Sequence, residues 1–136
     1  CSSDLEVRQL ADEPNLLKAA RWVQERGPEI VIVKKGEHGA ILFADDWLFY
    51  VPGYPLEEVF DPTGAGDSFA GGFMGYLASV DKVDEESLRT AAIVGSTMAS
   101  FAVEDFGLDR IKYLTYSDIA ERFEAFVDLT RFNPLT

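Results

Sequence analysis

The spacing of apolar positions predicts two helices at the start of the chain. Apolar residues recur at helical intervals between Asp4 and Arg26, and the turn-like segment Asp12-Glu13-Pro14 interrupts them. We therefore predict a short helix and then a helix from about Pro14 to Arg26. Pro14 would lie in the first turn of the second helix, and Gly27 just past its end.

The pattern then changes to that of strands. Ile30-Val31-Ile32-Val33 is a run of four β-branched residues, which is typical of a central strand covered on both faces. The polar link Lys34 to Gly39 leads into the apolar run Ala40 to Phe43, and Asp45-Asp46 turns the chain into Trp47 to Val51. We predict a strand followed by a hairpin.

The second half of the chain is predicted to be mainly helical. Pro52 to Phe60 contains two Pro and one Gly and is predicted to be a connecting loop, with at most a short strand at its end. Helical patterns then run from the segment Asp61–Asp67 to Val80, over Ser87–Val103 and over Ser117–Leu129. In the last of these, Ser117 is the predicted N-cap and Leu129 is predicted to face inward. This order of elements predicts an α/β fold with helices around a mixed sheet.

Length and charge limit the classes of protein and partner. A chain of 136 residues, 47% of them hydrophobic, can bury one core, so residues 1–136 are expected to form one domain or part of one. The formal net charge of −12, from 24 acidic and 12 basic residues, opposes binding to nucleic acid or to anionic membranes. We expect neither as a partner.

The cysteine content and the start of the chain add two expectations. Cys1 is the only cysteine, which excludes an internal disulfide, and no apolar run approaches the ~20 residues needed to cross a bilayer. A reducing, cytoplasmic compartment fits both facts. Because the chain opens on Cys1 rather than Met, with a helical pattern already under way at Leu5, we expect it to be a fragment of a longer protein.

A glycine turn before the third helix carries the candidate chemistry. The N–H groups of Gly64-Ala65-Gly66 precede a helix and can converge on an anion at its positive end, where a phosphate could approach closely. Asp67 follows in the first helical turn and could accept the proton of a hydroxyl group. Spacing alone leaves two interpretations open, a phosphoryl-transfer site and a glycine turn capped by an aspartate.

Three glycines interrupt the helix that follows. Gly71, Gly72 and Gly75 each cost about 1 kcal/mol relative to Ala in a helix interior. Close packing against a neighbouring element or a bound nucleotide would explain them.

The segment Asp61-Pro62-Thr63-Gly64-Ala65-Gly66-Asp67-Ser68-Phe69-Ala70-Gly71-Gly72-Phe73 closely resembles the second signature of the ribokinase (PfkB) family of carbohydrate kinases. Pro62 replaces the commoner Thr. The resemblance implies a ribokinase-like three-layer α/β/α fold, of which this chain would be the C-terminal half of the large domain, without the lid.

The same resemblance implies roles for the residues of the signature. The turn Gly64-Ala65-Gly66 would form the anion hole for the transferred phosphoryl group, and Asp67 would be the catalytic base. Asp61 and Thr63 would be among the ligands of a monovalent cation such as potassium.

Lys34-Lys35-Gly36-Glu37-His38-Gly39 is similar to the family's loop over the ATP phosphates and ribose. The resemblance implies nucleotide contacts for Lys34, Gly36, Glu37 and Gly39. A polar hairpin without a ligand is the alternative.

Two weaker similarities extend the implied site. Ala91 to Gly107 resembles the helix and loop that flank adenine, which implies nucleotide contacts for Ser96 and Gly107, although Val103-Glu104-Asp105-Phe106 departs from the usual ending. Ser3-Asp4-Leu5-Glu6 resembles the Asn-x-x-Glu motif, with Ser3 in place of Asn. Glu6 would then act on magnesium through water, and a solvated carboxylate at a helix start is the alternative.

The implied function is a phosphotransferase that moves the γ-phosphoryl group of ATP to an alcohol of a sugar or sugar-like substrate, with magnesium and potassium as cofactors. A nucleoside kinase of the same fold and a non-catalytic nucleotide-binding fragment are the alternatives. Because the implied sugar-binding residues lie outside the chain, the isolated 136 residues are expected to be inactive. A homodimer of the full-length protein is left open.

Overall fold

The computed structural model describes residues 1–57, 62–104 and 111–135. The chain divides into two compact units, Cys1–Gly53 and Tyr54–Thr136. The predictions of a short strand near 58–60 and of functional roles for Asp61 and Gly107 lie outside the described residues.

The first unit contains a four-stranded mixed sheet. Its strands are β1 (Ser2–Ser3), β2 (Val31–Lys34), β3 (Ala40–Phe43) and β4 (Leu48–Val51), in that spatial order. β1 is parallel to β2, and the other two pairs are antiparallel. The predicted strand and hairpin are therefore confirmed, and β2 is internal in the sheet as its β-branched run predicts.

Two helices precede β2. They are α1 (Asp4–Ala11) and α2 (Leu16–Gln24). The side chain of Asn15 accepts a hydrogen bond from the N–H of Lys18 and is the N-cap of α2, so Pro14 precedes the helix and the predicted start is two residues early. Gly27 lies past the end of α2 with φ 147, as its position in the sequence predicts.

The core of the first unit lies between these helices and one face of the sheet. Because Val31 pairs with Phe43 and Val33 with Ile41, and side chains alternate along a strand, these four residues share a face. They are buried in one cluster with residues of the two helices, Val7, Ala19 and Ala20. The cluster accounts for only part of the apolar pattern of α1 and α2. Leu16 and Val23 pack against it, whereas Leu5, Leu10 and Leu17 are exposed.

The second unit is helical in its described part. It contains α3 (Ala65–Ser79), α4 (Glu85–Glu104) and α5 (Tyr116–Thr130). The described ranges contain no helix that combines the length and the apolar character needed to span a membrane.

Two details of α5 differ from the prediction. Its N-cap is Thr115 rather than Ser117, because Thr115 and Asp118 bond each other's backbone N–H groups in a capping box. Leu129, predicted to face inward, is 53% exposed, whereas Phe126 is fully buried. The apolar face of α5 therefore ends before Leu129.

The packing explanation for the glycines of α3 is correct for one of them. A Cβ atom at Gly72 would meet atoms of α4, whereas Cβ atoms at Gly71 and Gly75 would meet no atom within 4 Å. Close packing therefore does not require glycine at Gly71 or Gly75.

Candidate active site

A tight turn leads the chain into α3. The N–H of Ala65 donates to the carbonyl oxygen of Pro62 at 3.2 Å, and Gly64 between them has φ 86 and ψ −7. These angles match the third position of a type II turn, where the positive φ strongly favours glycine. A Cβ atom at Gly64 would meet no atom of the described residues within 4 Å, so none of them covers the turn backbone there.

The first turn of α3 follows directly. Because Ala65 is its first residue, the N–H groups of Gly66 and Asp67 have no acceptor within the helix, and both lie at the positive end of its dipole. The sequence resemblance predicts the donors at Gly64, Ala65 and Gly66. In the structure the N–H of Ala65 is bonded to Pro62, and the N–H of Asp67 is a first-turn donor that the sequence analysis missed.

Asp67 presents its carboxylate at the surface. The residue is exposed, and no side-chain hydrogen bond caps the start of α3, where the N-cap is Gly64. The alternative interpretation of Asp67, a carboxylate that caps the helix, therefore has no hydrogen bond to support it. Its position in the first turn was predictable because it follows the glycine turn directly.

Ser68 is buried next to this exposed carboxylate. Its N–H donates to the carbonyl oxygen of Gly64 at 2.9 Å, and the residue is only 9% exposed. Among the described residues, its Oγ atom has no hydrogen-bond partner. A buried hydroxyl without a partner costs about 1–3 kcal/mol in desolvation, so Ser68 is an unusual feature of the site.

The remaining predicted residues of the second unit differ in exposure. Thr63 is exposed in the turn, and Ser96 lies on α4 with only 7% exposure. Among the described residues, no group of three or more His, Cys, Asp or Glu side chains is placed to hold a metal ion. Asp61, the other predicted cation ligand, is not described.

The predicted nucleotide loop lies in the first unit. Lys34 ends β2, and the loop then forms a single turn of 3-10 helix, Gly36–His38, in which Glu37 is exposed. Gly36 has φ 57, and a Cβ atom there would meet nothing within 4 Å. A ligand could therefore approach its backbone.

Gly39 has a structural reason to be glycine. A Cβ atom there would lie 2.7 Å from the backbone N of Gly53 and closer still to the carbonyl oxygen of Val51. Its φ of 89 and ψ of −143 are also confined to glycine. The close approach of residues 51–53 therefore accounts for Gly39 without a ligand.

Glu6 takes part in the cap of α1. One oxygen of its carboxylate accepts hydrogen bonds from the Oγ of Ser3 at 2.7 Å and from the N–H of Ser3 at 3.4 Å. These bonds lower the pKa of Glu6, with a smaller contribution from the positive charge of Lys34. The geometry matches the alternative in which Glu6 is a helix-start carboxylate, and its role toward magnesium stays a prediction.

Comparisons with known proteins identify the family. Residues 3–112 match the sequence profile of the pfkB family carbohydrate kinases. A nucleoside kinase of Methanothermobacter thermautotrophicus is 42% identical over 86 residues, which cover 62% of this chain and 25% of that protein.

Solved structures share the fold. Fructokinase from Vibrio cholerae O395, in a form with fructose, ADP and calcium ion bound, matches with a TM-score of 0.79 at 19% identity, over 89% of this chain and 39% of that chain. Aminoimidazole riboside kinase from Salmonella enterica, complexed with aminoimidazole riboside and an ATP analogue, matches with a TM-score of 0.77 at 25% identity, over 90% and 40%.

The fold is therefore that of the ribokinase-like α/β kinases, as the sequence resemblance implies. The chain belongs to the pfkB family of carbohydrate kinases. It spans 25% of the length of the nucleoside kinase and 39–40% of the two solved chains.

Proposed function

We propose that the full-length protein transfers the γ-phosphoryl group of ATP to an alcohol of a sugar or sugar-like substrate, with Asp67 as the base. One observation carries the proposal. The exposed carboxylate of Asp67 lies in the first turn of a helix that the chain enters through the left-handed Gly64. This helix start offers a proton acceptor beside backbone N–H donors, which is what transfer of an anionic group to a hydroxyl requires.

The residues of the turn would divide the chemistry between them. Asp67 accepts the proton of the acceptor hydroxyl as its oxygen bonds to the γ-phosphorus, while the bond from that phosphorus to the bridging oxygen breaks and ADP leaves. The turn Gly64-Ala65-Gly66 forms the anion hole, in which the N–H groups of Gly66 and Asp67, which have no acceptor within the helix, stabilise the charge on the transferred group. Because the transition state of such transfers is usually loose, positioning matters more than basicity, and an ordinary aspartate suffices.

The proposal extends to contacts with the nucleotide and the ions. ATP supplies the phosphoryl group, and magnesium neutralises part of its charge. The open space at Gly36 and Gly64 is compatible with a phosphate approaching the backbone. The proposed nucleotide contacts are Lys34, Gly36, Glu37, Gly39, Ser96 and Gly107. The proposed ion contacts are Asp61 and Thr63 for potassium and, through water, Glu6 for magnesium.

A nucleoside is the second candidate acceptor. The relative from Methanothermobacter thermautotrophicus, at 42% identity, is a nucleoside kinase. A panel of pentoses, hexoses and nucleosides, offered to the full-length protein with ATP, distinguishes the candidates by the ratio of their kcat/KM values.

The assignment of Asp67 is tested by substitution in the full-length protein. We expect Asp67→Asn to lower kcat at least a hundredfold, because a positioned base contributes about 10²–10⁴ in rate. The Kd for ATP, measured by calorimetry, should stay within a few-fold. Asp81→Asn removes another exposed carboxylate, just beyond α3, and should leave kcat unchanged. Near-wild-type turnover by Asp67→Asn would rule out the proposed base.

A further inference from the structure

The helices α3 and α4 touch each other through their backbones. A Cβ atom at Gly95 would lie 2.9 Å from the carbonyl oxygen of Phe69 and 3.1 Å from two of its ring carbons. A Cβ atom at Gly72 would lie 3.0 Å from the carbonyl oxygen of Val94 and 3.1 Å from the Cα of Gly95. Neither position can therefore take a side chain without a shift of one helix against the other.

The ring that faces Gly95 has little room to move. Phe69 is 4% exposed, and its ring stacks on that of Phe73 with centroids 6.4 Å apart and planes inclined by 11°. The second contact of Gly95 is the Phe69 carbonyl oxygen, which belongs to the backbone of α3. An added methyl group at Gly95 would therefore push against α3 itself.

This crossing lies beside the proposed catalytic groups. Phe69 follows Asp67 by two residues, a rise of about 3 Å along the helix. Gly95 directly precedes Ser96, the buried residue of α4 proposed to contact the nucleotide. The contact between Gly95 and Phe69 therefore lies within two residues of Asp67 on α3 and next to Ser96 on α4.

We propose that Gly95 is a positioning residue, whose missing side chain sets the separation between Asp67 and Ser96 and thereby between base and nucleotide. The inference rests on the proposed function, which gives Asp67 and Ser96 their roles. It assigns Gly95 itself no contact with substrate. Gly95 acts on the position of Asp67 through Phe69, the residue of α3 that its backbone approaches.

The test compares alanine substitutions in the full-length protein at saturating ATP and with a saturating concentration of the pentose, hexose or nucleoside that gives the highest kcat/KM in the substrate panel. We expect Gly95→Ala to lower kcat about 10- to 100-fold, because a misplacement on the order of 1 Å can cost 10²-fold in rate. The assay is run at a temperature where circular dichroism shows the variant to be folded. Gly75→Ala adds the same methyl group to an open, exposed position of α3, about two turns away from Asp67, and should keep the wild-type kcat.

A second variant covers the case in which Gly95→Ala does not fold. The nearest atom to a Cβ at Gly72 is the flexible side-chain Cγ of Met98, at 2.9 Å, and its backbone contacts need only a small shift. We expect Gly72→Ala to fold and to lose kcat several-fold. Wild-type kcat in either folded variant overturns the proposal. If Asp67→Asn is inactive in the same assay, that result refutes the role of Gly95 alone. Near-wild-type turnover by Asp67→Asn instead refutes the proposed base, and absence of turnover by the wild-type protein refutes the proposed function itself.

Discussion

Arg122 on α5 forms an ion pair with Glu104, the last residue of α4. Its Nη2 donates to both carboxylate oxygens, at 3.1 and 3.0 Å, and its Nη1 donates to the Oγ of Ser100 at 3.0 Å. The guanidinium carbon also lies 4.2 Å from the ring centroids of Tyr54 and Phe101. One largely buried side chain therefore joins α5, the end of α4 and the segment that begins at Tyr54.

Removing this cation should destabilise the second unit. We expect Arg122→Met to lower the free energy of unfolding by about 1–3 kcal/mol, because it leaves Glu104 without its charged donor and removes two ring contacts. Glu104 is 35% exposed, so the loss falls below that of a fully buried pair. Urea unfolding of the full-length protein measures it.

A surface pair serves as the control for Arg122. Arg131 and Asp128 lie 3.3 Å apart with side chains 71% and 68% exposed. Arg131→Met should change the free energy of unfolding by less than about 0.5–1 kcal/mol. Equal losses in the two variants would show that the contacts of Arg122 add nothing to stability.

Local sequence patterns predicted the strands better than the helix ends. β3 was predicted with its observed bounds, because its apolar run is limited by a polar link and a turn. The cap of α5 was placed on Ser117, although Thr115 is followed three positions later by Asp118, which completes a capping box, and Ser117 by Ala120, which does not. β1 has only two residues and is too short to leave a pattern.

The candidate site could be predicted from the sequence only where its residues are neighbours along the chain. The turn and its aspartate are adjacent in sequence, so a signature reveals them. The contact between Gly95 and Phe69 joins residues on two different helices, and neither residue's spacing points to the other. At Gly39 a local pattern pointed to a ligand although a distant contact also explains the residue. The segment around it resembles a nucleotide loop, but the close approach of residues 51–53 already requires glycine there.

The cap of α1 should give stability that depends on pH. Hydrogen bonds from Ser3 lower the pKa of Glu6, so ionised Glu6 favours the folded state above its ordinary pKa of about 4.3. That contribution is lost as the pH falls through the lowered value. We expect Glu6→Gln to destabilise the protein at pH 6 and to match wild type near pH 2, as measured by urea unfolding across this range.

A second glutamate variant tests whether this effect belongs to the cap of α1. Glu124 is exposed on α5, away from either end of that helix. Glu124→Gln should change stability little, and equally at both ends of the pH range. A difference between wild type and Glu6→Gln that persists unchanged at low pH would contradict the proposed linkage.

Two buried serines should respond to alanine in opposite directions. Ser68 and Ser100 are 9% and 5% exposed, and both lie within helices. Burial and helix propensity therefore contribute about equally to the effect of the two Ser→Ala substitutions. Ser100 donates to the carbonyl oxygen of Thr97 at 2.6 Å and accepts from Arg122, whereas the Oγ of Ser68 has no partner in the part of the chain that the structure describes. We expect Ser100→Ala to lower the free energy of unfolding by about 1–2 kcal/mol.

Ser68→Ala should instead leave the free energy of unfolding unchanged or raise it by up to about 1 kcal/mol, because it removes a desolvated hydroxyl that gains no hydrogen bond on folding. Urea unfolding of both variants, compared with wild type, gives the two changes under the same conditions. If Ser68→Ala costs as much as Ser100→Ala, the Oγ of Ser68 has a hydrogen-bond partner in the folded protein. Its burial beside Asp67 would then reflect a polar contact at the start of α3 rather than an unpaired hydroxyl.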